Sequence, residues 1–150
     1  MISKVIDLYN NVIDSPFMGF VRDLAILGLR LPLALVFWYS GRTKVDGWNI
    51  FSPNDGQVYL FENKFKLPFP ELMATVAAIA EHVLPVMLII GLWTRIGAAG
   101  LLVMTGVIQI FVFPDAWWST HMFWAALAFG IIGVGPGRLS LDYLLTRNKS

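Results

Sequence analysis

The stretch Glu71–Arg95, ELMATVAAIAEHVLPVMLIIGLWTR, constrains the fold more than any other part of the chain. From Leu72 to Trp93 it is almost wholly apolar, and a bilayer-crossing helix needs about 20 such residues. Yet it carries Glu81 and His82 near its middle, with Pro85 just beyond. A carboxylate at the bilayer centre costs roughly 2.5–3.5 kcal/mol on insertion scales, so it has a partner or lines a cavity. On a helix, Ala74, Ala77, Ala78, Glu81 and Pro85 share one face. Small residues let helices approach closely in lipid. The spacing therefore predicts that Glu81 points into protein.

The bulk composition agrees. Of 150 residues, 57% are hydrophobic and 14% charged, against about 25% charged in an ordinary soluble domain. One domain over 1–150 is expected at this length. A net charge of +1 gives no field to draw nucleic acid. Cysteine is absent, which excludes disulfides, thiolate metal clusters and thiol nucleophiles.

Three further spans are expected around Leu72–Trp93: Leu24–Gly41, Ile96–Phe113 and Ser119–Gly135. The fold class is all-α, an antiparallel bundle of four transmembrane helices. Before the first span, Ile2, Val5, Ile6, Tyr9, Val12 and Ile13 fall on one helical face, which reads as an interfacial helix and not a signal peptide. Between spans one and two, Gly47, Pro53 and Asn54–Gly56 are turn signals. The alternation in Gln57–Leu67 predicts a short hairpin around Glu62-Asn63-Lys64, a partly β-like cap. Trp48, Phe51, Tyr59, Phe61, Phe65 and Phe69 are expected at headgroup depth, as a lid or an ordinary interfacial loop. In the last two spans, Ala98, Leu102, Thr105 and Gln109 form one stripe, and Ala126, Gly130 and Gly133 a small-residue packing face. Ser140 and Asp142 are expected to cap a short tail.

With four spans both termini share a side. That side carries six basic residues, Lys4, Arg22, Arg95, Arg138, Arg147 and Lys149, against four on the other, Arg42, Lys44, Lys64 and Lys66. The positive-inside rule then puts both termini in the cytoplasm, in a multi-pass inner-membrane protein.

Arg30 lies inside the first span, roughly 10 Å from its Asp23 end. An ion pair with Glu81 is expected, with snorkelling to the near interface as the alternative. His82 points about 100° away from Glu81, so it is expected in the next groove with Thr75, Ile79 and Val86. There one ring nitrogen stays free to accept or ligate. His121, among Trp117, Trp118 and Trp124, is expected at the wet interface. The two histidines differ in depth by roughly 13 Å, too far for one haem iron. The methionines show no clustered spacing for a copper site, and Met is commonly core filler.

The succession of residues resembles the DoxX-like proteins of bacterial and archaeal membranes. The resemblance runs from about Leu29 to Asp142. It rests on Arg30, Gly41 and Lys44, on Glu81, Gly91 and Thr94-Arg95, and on the Phe113–Trp117 turn, His121 with Trp124, and Gly135–Asp142. The last features, with His82-Val83-Leu84-Pro85, are similar to a subgroup associated with metal or copper and oxidative-stress functions. The resemblance implies an accessory subunit of a membrane redox or detoxification system. The expected ligand is a quinone-like apolar molecule held between helices, with Arg30, Glu81, His82 and Gln109 as polar groups. Lys44, Trp48, Tyr59, His121 and Trp124 belong to the loop or interface. A partner-recruiting scaffold or carrier, a small-solute transporter, a redox partner protein and self-association are the other readings.

Overall fold

The computed structural model describes residues 2–147, in helices and turns. Helix α1 spans Ile2–Ile13 and α2 Pro16–Arg42. Between them Ser15 caps α2, accepting from the Met18 N–H, and Pro16 occupies the first helical turn. That Ser-Pro start carries α2 eight residues further back than the span expected from Leu24. Its 27 residues measure about 40 Å, more than the hydrocarbon thickness. Ile2, Val5, Ile6, Tyr9, Val12 and Ile13 of α1 stay uncovered by the rest of the chain.

The loop after α2 is not β-like. Helix α3 (Asp55–Tyr59) continues into a π turn over Leu60–Lys64, and a single bridge, Val45 to Pro53, is the only β pairing among the described residues. The apparent alternation is a helical pattern: Val58, Phe61 and Phe65 recur at three and four residues. Asn54, expected in a turn, is the N-cap and accepts from the Gln57 N–H. Phe61 packs with Ala74 and Ala77, bringing this short helix down onto the next long one.

Helices α4 (Pro70–Ile90), α5 (Thr94–Val107) and α6 (Met122–Val134) follow. α5 continues into a π turn, Ile108–Val112, and α6 is entered through Pro114–Ala116 and a further π turn, Trp117–His121. The continuous stretches Pro70–Ile90, Thr94–Val112 and Pro114–Val134 are each long and apolar enough to cross a membrane. A short α7, Leu141–Thr146, closes the described chain.

α2 lies against α4 and α6, α4 against α5, and α5 against α6. They share one core: Leu33, Ala34 and Phe37 from α2, Leu88 from α4, Ala98 and Leu101 from α5, Ala128 and Ile131 from α6. α2 and α4 run in opposite senses, since Arg30 meets Leu88 while Gly41 meets Glu81. The predicted buried face of α4 is present: Ala74, Ala77, Ala78, Glu81 and Pro85 are all buried. On α6 the buried small residues are Ala125 and Ala128, whereas Ala126 and Gly133 face outward.

Candidate functional site

Arg30 is fully buried and does not pair with Glu81. Its Nε donates to the Leu88 carbonyl (2.8 Å) and Nη2 to Ile89 (3.0 Å), while Nη1 donates to Leu139 (2.8 Å) and Pro136 (3.1 Å). The reason lies in helix-end accounting. The last carbonyls of a helix have no partner inside it and carry partial negative charge. At the end of α4 the Met87 carbonyl takes both the Gly91 and Leu92 N–H groups. The Leu88 and Ile89 carbonyls are left over, and a planar fork of donors fits two of them together with the chain after α6. Arg30 is thus a clamp on the end of α4.

The chain that follows α6 completes this end. Gly91 (φ +71°) has no room for a side chain: a Cβ there would lie 2.5 Å from Arg30 Nη2 and 2.5 Å from Ser140 Cβ. The Asp142 N–H donates to the Gly91 carbonyl, and the Asp142 carboxylate accepts from the Trp93 and Thr94 N–H groups. Asp142 therefore caps α5 from 48 residues away in sequence, while Ser140 alone caps α7. Burial works to raise the Asp142 carboxyl, but the Thr94 and Trp93 N–H bonds and the Arg30 charge outweigh it, so it sits below its ordinary value. Asp23 adds a second tie, accepting from the Arg138 backbone N–H (3.0 Å) and from its Nε (2.6 Å).

Glu81 lies at the other end of the α2–α4 contact. It is 1% exposed, and its Oε2 lies 2.9 Å from Lys44 Nζ. The two charges meet by distance, but the angle leaves Oε2 without an aligned hydrogen-bond donor. Lys44 Nζ is itself anchored to Ser40 Oγ at 3.1 Å. The loop carrying Lys44 is held by the Asn54 N–H on the Lys44 carbonyl and Asn54 Nδ2 on the Thr43 carbonyl. Pairing with Lys44 replaces the expected pairing with Arg30 because α4 places Glu81 two turns from the carbonyls that hold the arginine.

His82 is 4% exposed, and its Nδ1 lies 2.7 Å from the Ala78 carbonyl. A carbonyl only accepts, so Nδ1 carries a proton and donates. Nε2 is buried with no hydrogen-bond partner. The ring stands edge-on to Trp38 of α2, centroids 5.2 Å apart. His82 thus faces α2, as Glu81 does, and not a separate groove. Gly41 makes this arrangement fit: a Cβ there would lie 2.9 Å from the Glu81 carbonyl oxygen and 3.0 Å from His82 Nδ1.

Gln109 and His121 make a third group. Both stand in π turns, which widen the helix and commonly mark functional or strained positions. His121 Nδ1 lies 2.6 Å from Gln109 Oε1, and Gln109 Nε2 donates to the Pro114 carbonyl. Trp124 packs between His121 (5.0 Å) and Phe37 (5.3 Å). His121 is 2% exposed, so it is a buried strut and not a wet interfacial residue. In the loop, Trp48 and Tyr59 are exposed, and Arg42 stacks over the Trp48 ring at 4.5 Å.

The expected polar residues therefore fall into three groups: Arg30 with the α4 end, Lys44–Glu81–His82, and Gln109–His121. Three surface cavities, of about 440, 620 and 400 Å³, lie at helix ends and the loop, and none of these three is lined by Arg30, Glu81, His82 or Gln109. Among the described residues no group of three or more His, Asp or Glu side chains is placed to hold a metal ion. The role of Asp142 had a faint sequence signal, the Ser-Leu-Asp ending, but nothing local tied it to α5.

The DoxX family model matches residues 25–114, well over half of the chain. The chain belongs to the DoxX family. An uncharacterized protein of Haemophilus influenzae (strain ATCC 51907 / DSM 11121 / KW20 / Rd) is 28% identical over 153 residues, covering 89% of this chain and 91% of that protein. No solved structure matches. The stretch matched to DoxX holds Arg30, Lys44, Glu81, His82 and Gln109. It ends before His121 and before the Gly135–Asp142 segment that locks the Arg30 end of this DoxX membrane protein.

Proposed function

We propose that this DoxX protein is an integral membrane accessory subunit of a redox or detoxification system, and not a stand-alone enzyme. It holds a quinone-like apolar molecule at the α2–α4 contact, where His82 supplies the polar group. α2, α4, α5 and α6 form an antiparallel four-helix transmembrane bundle in the inner membrane, with α1 lying along the interface and both termini cytoplasmic. The observation that carries the ligand is His82 Nε2, buried and without a partner, one residue after the ion-paired Glu81. Buried polar atoms are normally hydrogen-bonded, and an orphan is a place for a ligand. The test is mass spectrometry of the organic extract from detergent-purified protein. An apolar aromatic compound should co-purify with the wild type and drop by up to about tenfold with His82→Phe. An extract holding only bulk lipid in both would remove the reading.

A second reading, a non-catalytic scaffold recruiting a partner protein, is favoured by the structural engagement of Arg30, Asp23 and Asp142. These groups fix helix register and leave little free for chemistry.

A further inference from the structure

We infer that His82 selects the hydroxyl-bearing, reduced form of its ligand, a hydroquinone or other phenol, over the corresponding quinone. This rests on the ligand reading above and concerns the direction of one hydrogen bond. A quinone offers only carbonyl oxygens, which accept; a hydroquinone offers O–H groups, which donate. Which form fits therefore depends on which nitrogen of His82 holds its proton.

The backbone decides that. Nδ1 lies 2.7 Å from the Ala78 carbonyl, one turn earlier on α4, and must be the donor. Nε2 is then a bare lone pair unless the ring takes a second proton. A second proton would put a buried N–H with no acceptor at Nε2, since no partner is present there. Leaving a charged donor unsatisfied costs more than leaving a neutral acceptor so. The ring cannot easily turn over to reverse the arrangement. Trp38 packs against it with centroids 5.2 Å apart, and the Gly41 backbone packs beside Nδ1, where a Cβ would come within 3.0 Å. The site is built to accept.

Glu81, the preceding residue, has its Oε2 2.9 Å from the Lys44 ammonium, so its charge is met by that base and His82 Nε2 is the unpartnered acceptor. Nε2 is closed off from solvent, and Trp38, half-buried on α2, packs against the ring.

The experiment uses the full chain in lipid nanodiscs and three probes: tetramethylhydroquinone, tetramethylbenzoquinone and the dimethyl ether of the hydroquinone. Full ring substitution keeps the quinone from alkylating lysines. One added hydrogen bond corresponds to about tenfold in affinity at most, so the hydroquinone should bind up to about tenfold tighter than either other probe. His82→Gln, whose Oε1 can accept, should keep the preference, and His82→Phe should lose it. In protein with ¹⁵N-labelled histidine, His82 Nε2 should resonate as a non-protonated nitrogen, which needs no variant to fold. Equal binding of all three probes, preference for the quinone, or a protonated Nε2 beside a bare Nδ1 overturns the inference and leaves the ligand reading standing. Binding of none of the probes, with no extracted ligand, overturns both.

Discussion

Lys44 Nζ lies 2.9 Å from Glu81 Oε2, so the acid in the middle of α4 is neutralised by a base from the loop beyond α2. Removing one partner of a buried pair strands a charge, at about 3–5 kcal/mol. Glu81→Gln and Lys44→Met should each lower thermal stability in detergent, and the double change should cost less than their sum. Arg30→Gln combined with Glu81→Gln should be additive, because those side chains share no partner. Coupling between Arg30 and Glu81 with none between Lys44 and Glu81 would reverse the assignment.

Arg30 holds four carbonyls from two separate segments, so charge alone does not describe its work. A lysine carries the same charge but is a compact point donor without the planar fork. Arg30→Lys should therefore lose nearly as much as Arg30→Gln, several kcal/mol, as hydrogen bonds to charged groups contribute about 1.5–3 kcal/mol each. Size-exclusion profiles and melting in detergent would show it; full recovery by lysine would argue for simple charge balance.

Much of the fold was legible because lipid restricts the choices. The apolar runs gave α4, α5 and α6, and the Ala-Glu-Pro spacing gave the buried face of α4 correctly. The burial of Arg30, Glu81 and His82 was legible, but their pairing was not. Arg30 and Glu81 looked like natural partners because opposite charges inside a membrane are expected to meet. The carbonyls at a helix end, however, compete for an arginine as well as a carboxylate does. Lys44 stood in a loop whose path no local pattern fixes. The alternation in Gln57–Leu67 misled because aromatic residues at three- and four-residue spacing also produce short runs of period two.

Two glycines should be far less replaceable than the rest. A Cβ on Gly91 meets Arg30 Nη2 and Ser140 at 2.5 Å and forces a left-handed backbone on a side-chain-bearing residue; one on Gly41 meets the Glu81 carbonyl oxygen at 2.9 Å. Gly91→Ala should separate the α4 end from its clamp, and Gly41→Ala should push α2 off α4, each by about 1–3 kcal/mol or more as in overpacked cores. Gly28→Ala and Gly133→Ala have open space around the new methyl and should stay within about 0.5 kcal/mol. Comparable losses at all four sites in a thermal-shift series would speak against these contacts.

The proposed orientation makes a plain prediction. A reporter that works only in the cytoplasm should be active when fused after Ser150 and silent when inserted near Asn54. Activity at Asn54 alone would turn the protein over in the membrane, and would put the Arg30 clamp on the outer side.

Asp142 gives the Arg30 end a dependence on pH. Its carboxylate receives the Trp93 and Thr94 N–H groups and lies below the ordinary value of 3.8. Because the folded state is the one with the lowered value, the unfolded chain takes up the proton first as pH falls. The stabilisation is complete above the ordinary aspartate range and fades as pH drops through the lowered folded value. At neutral pH, Asp142→Asn should cost about 0.5–2 kcal/mol, the usual loss for a helix cap, since the amide keeps one acceptor and loses the charge. The gap between wild type and Asp142→Asn should then narrow as melting is repeated from pH 7 towards pH 3. Trp93 sharpens the expectation: it holds a left-handed backbone (φ +46°), a conformation that persists only where neighbours enforce it, and its N–H is one of the two that Asp142 binds. Loss of the carboxylate should therefore release the Gly91–Trp93 turn before the helices separate, seen as faster hydrogen exchange at Trp93 and Thr94 in acid. A gap that stays constant with pH would mean that shape at this position, and not its charge, caps α5.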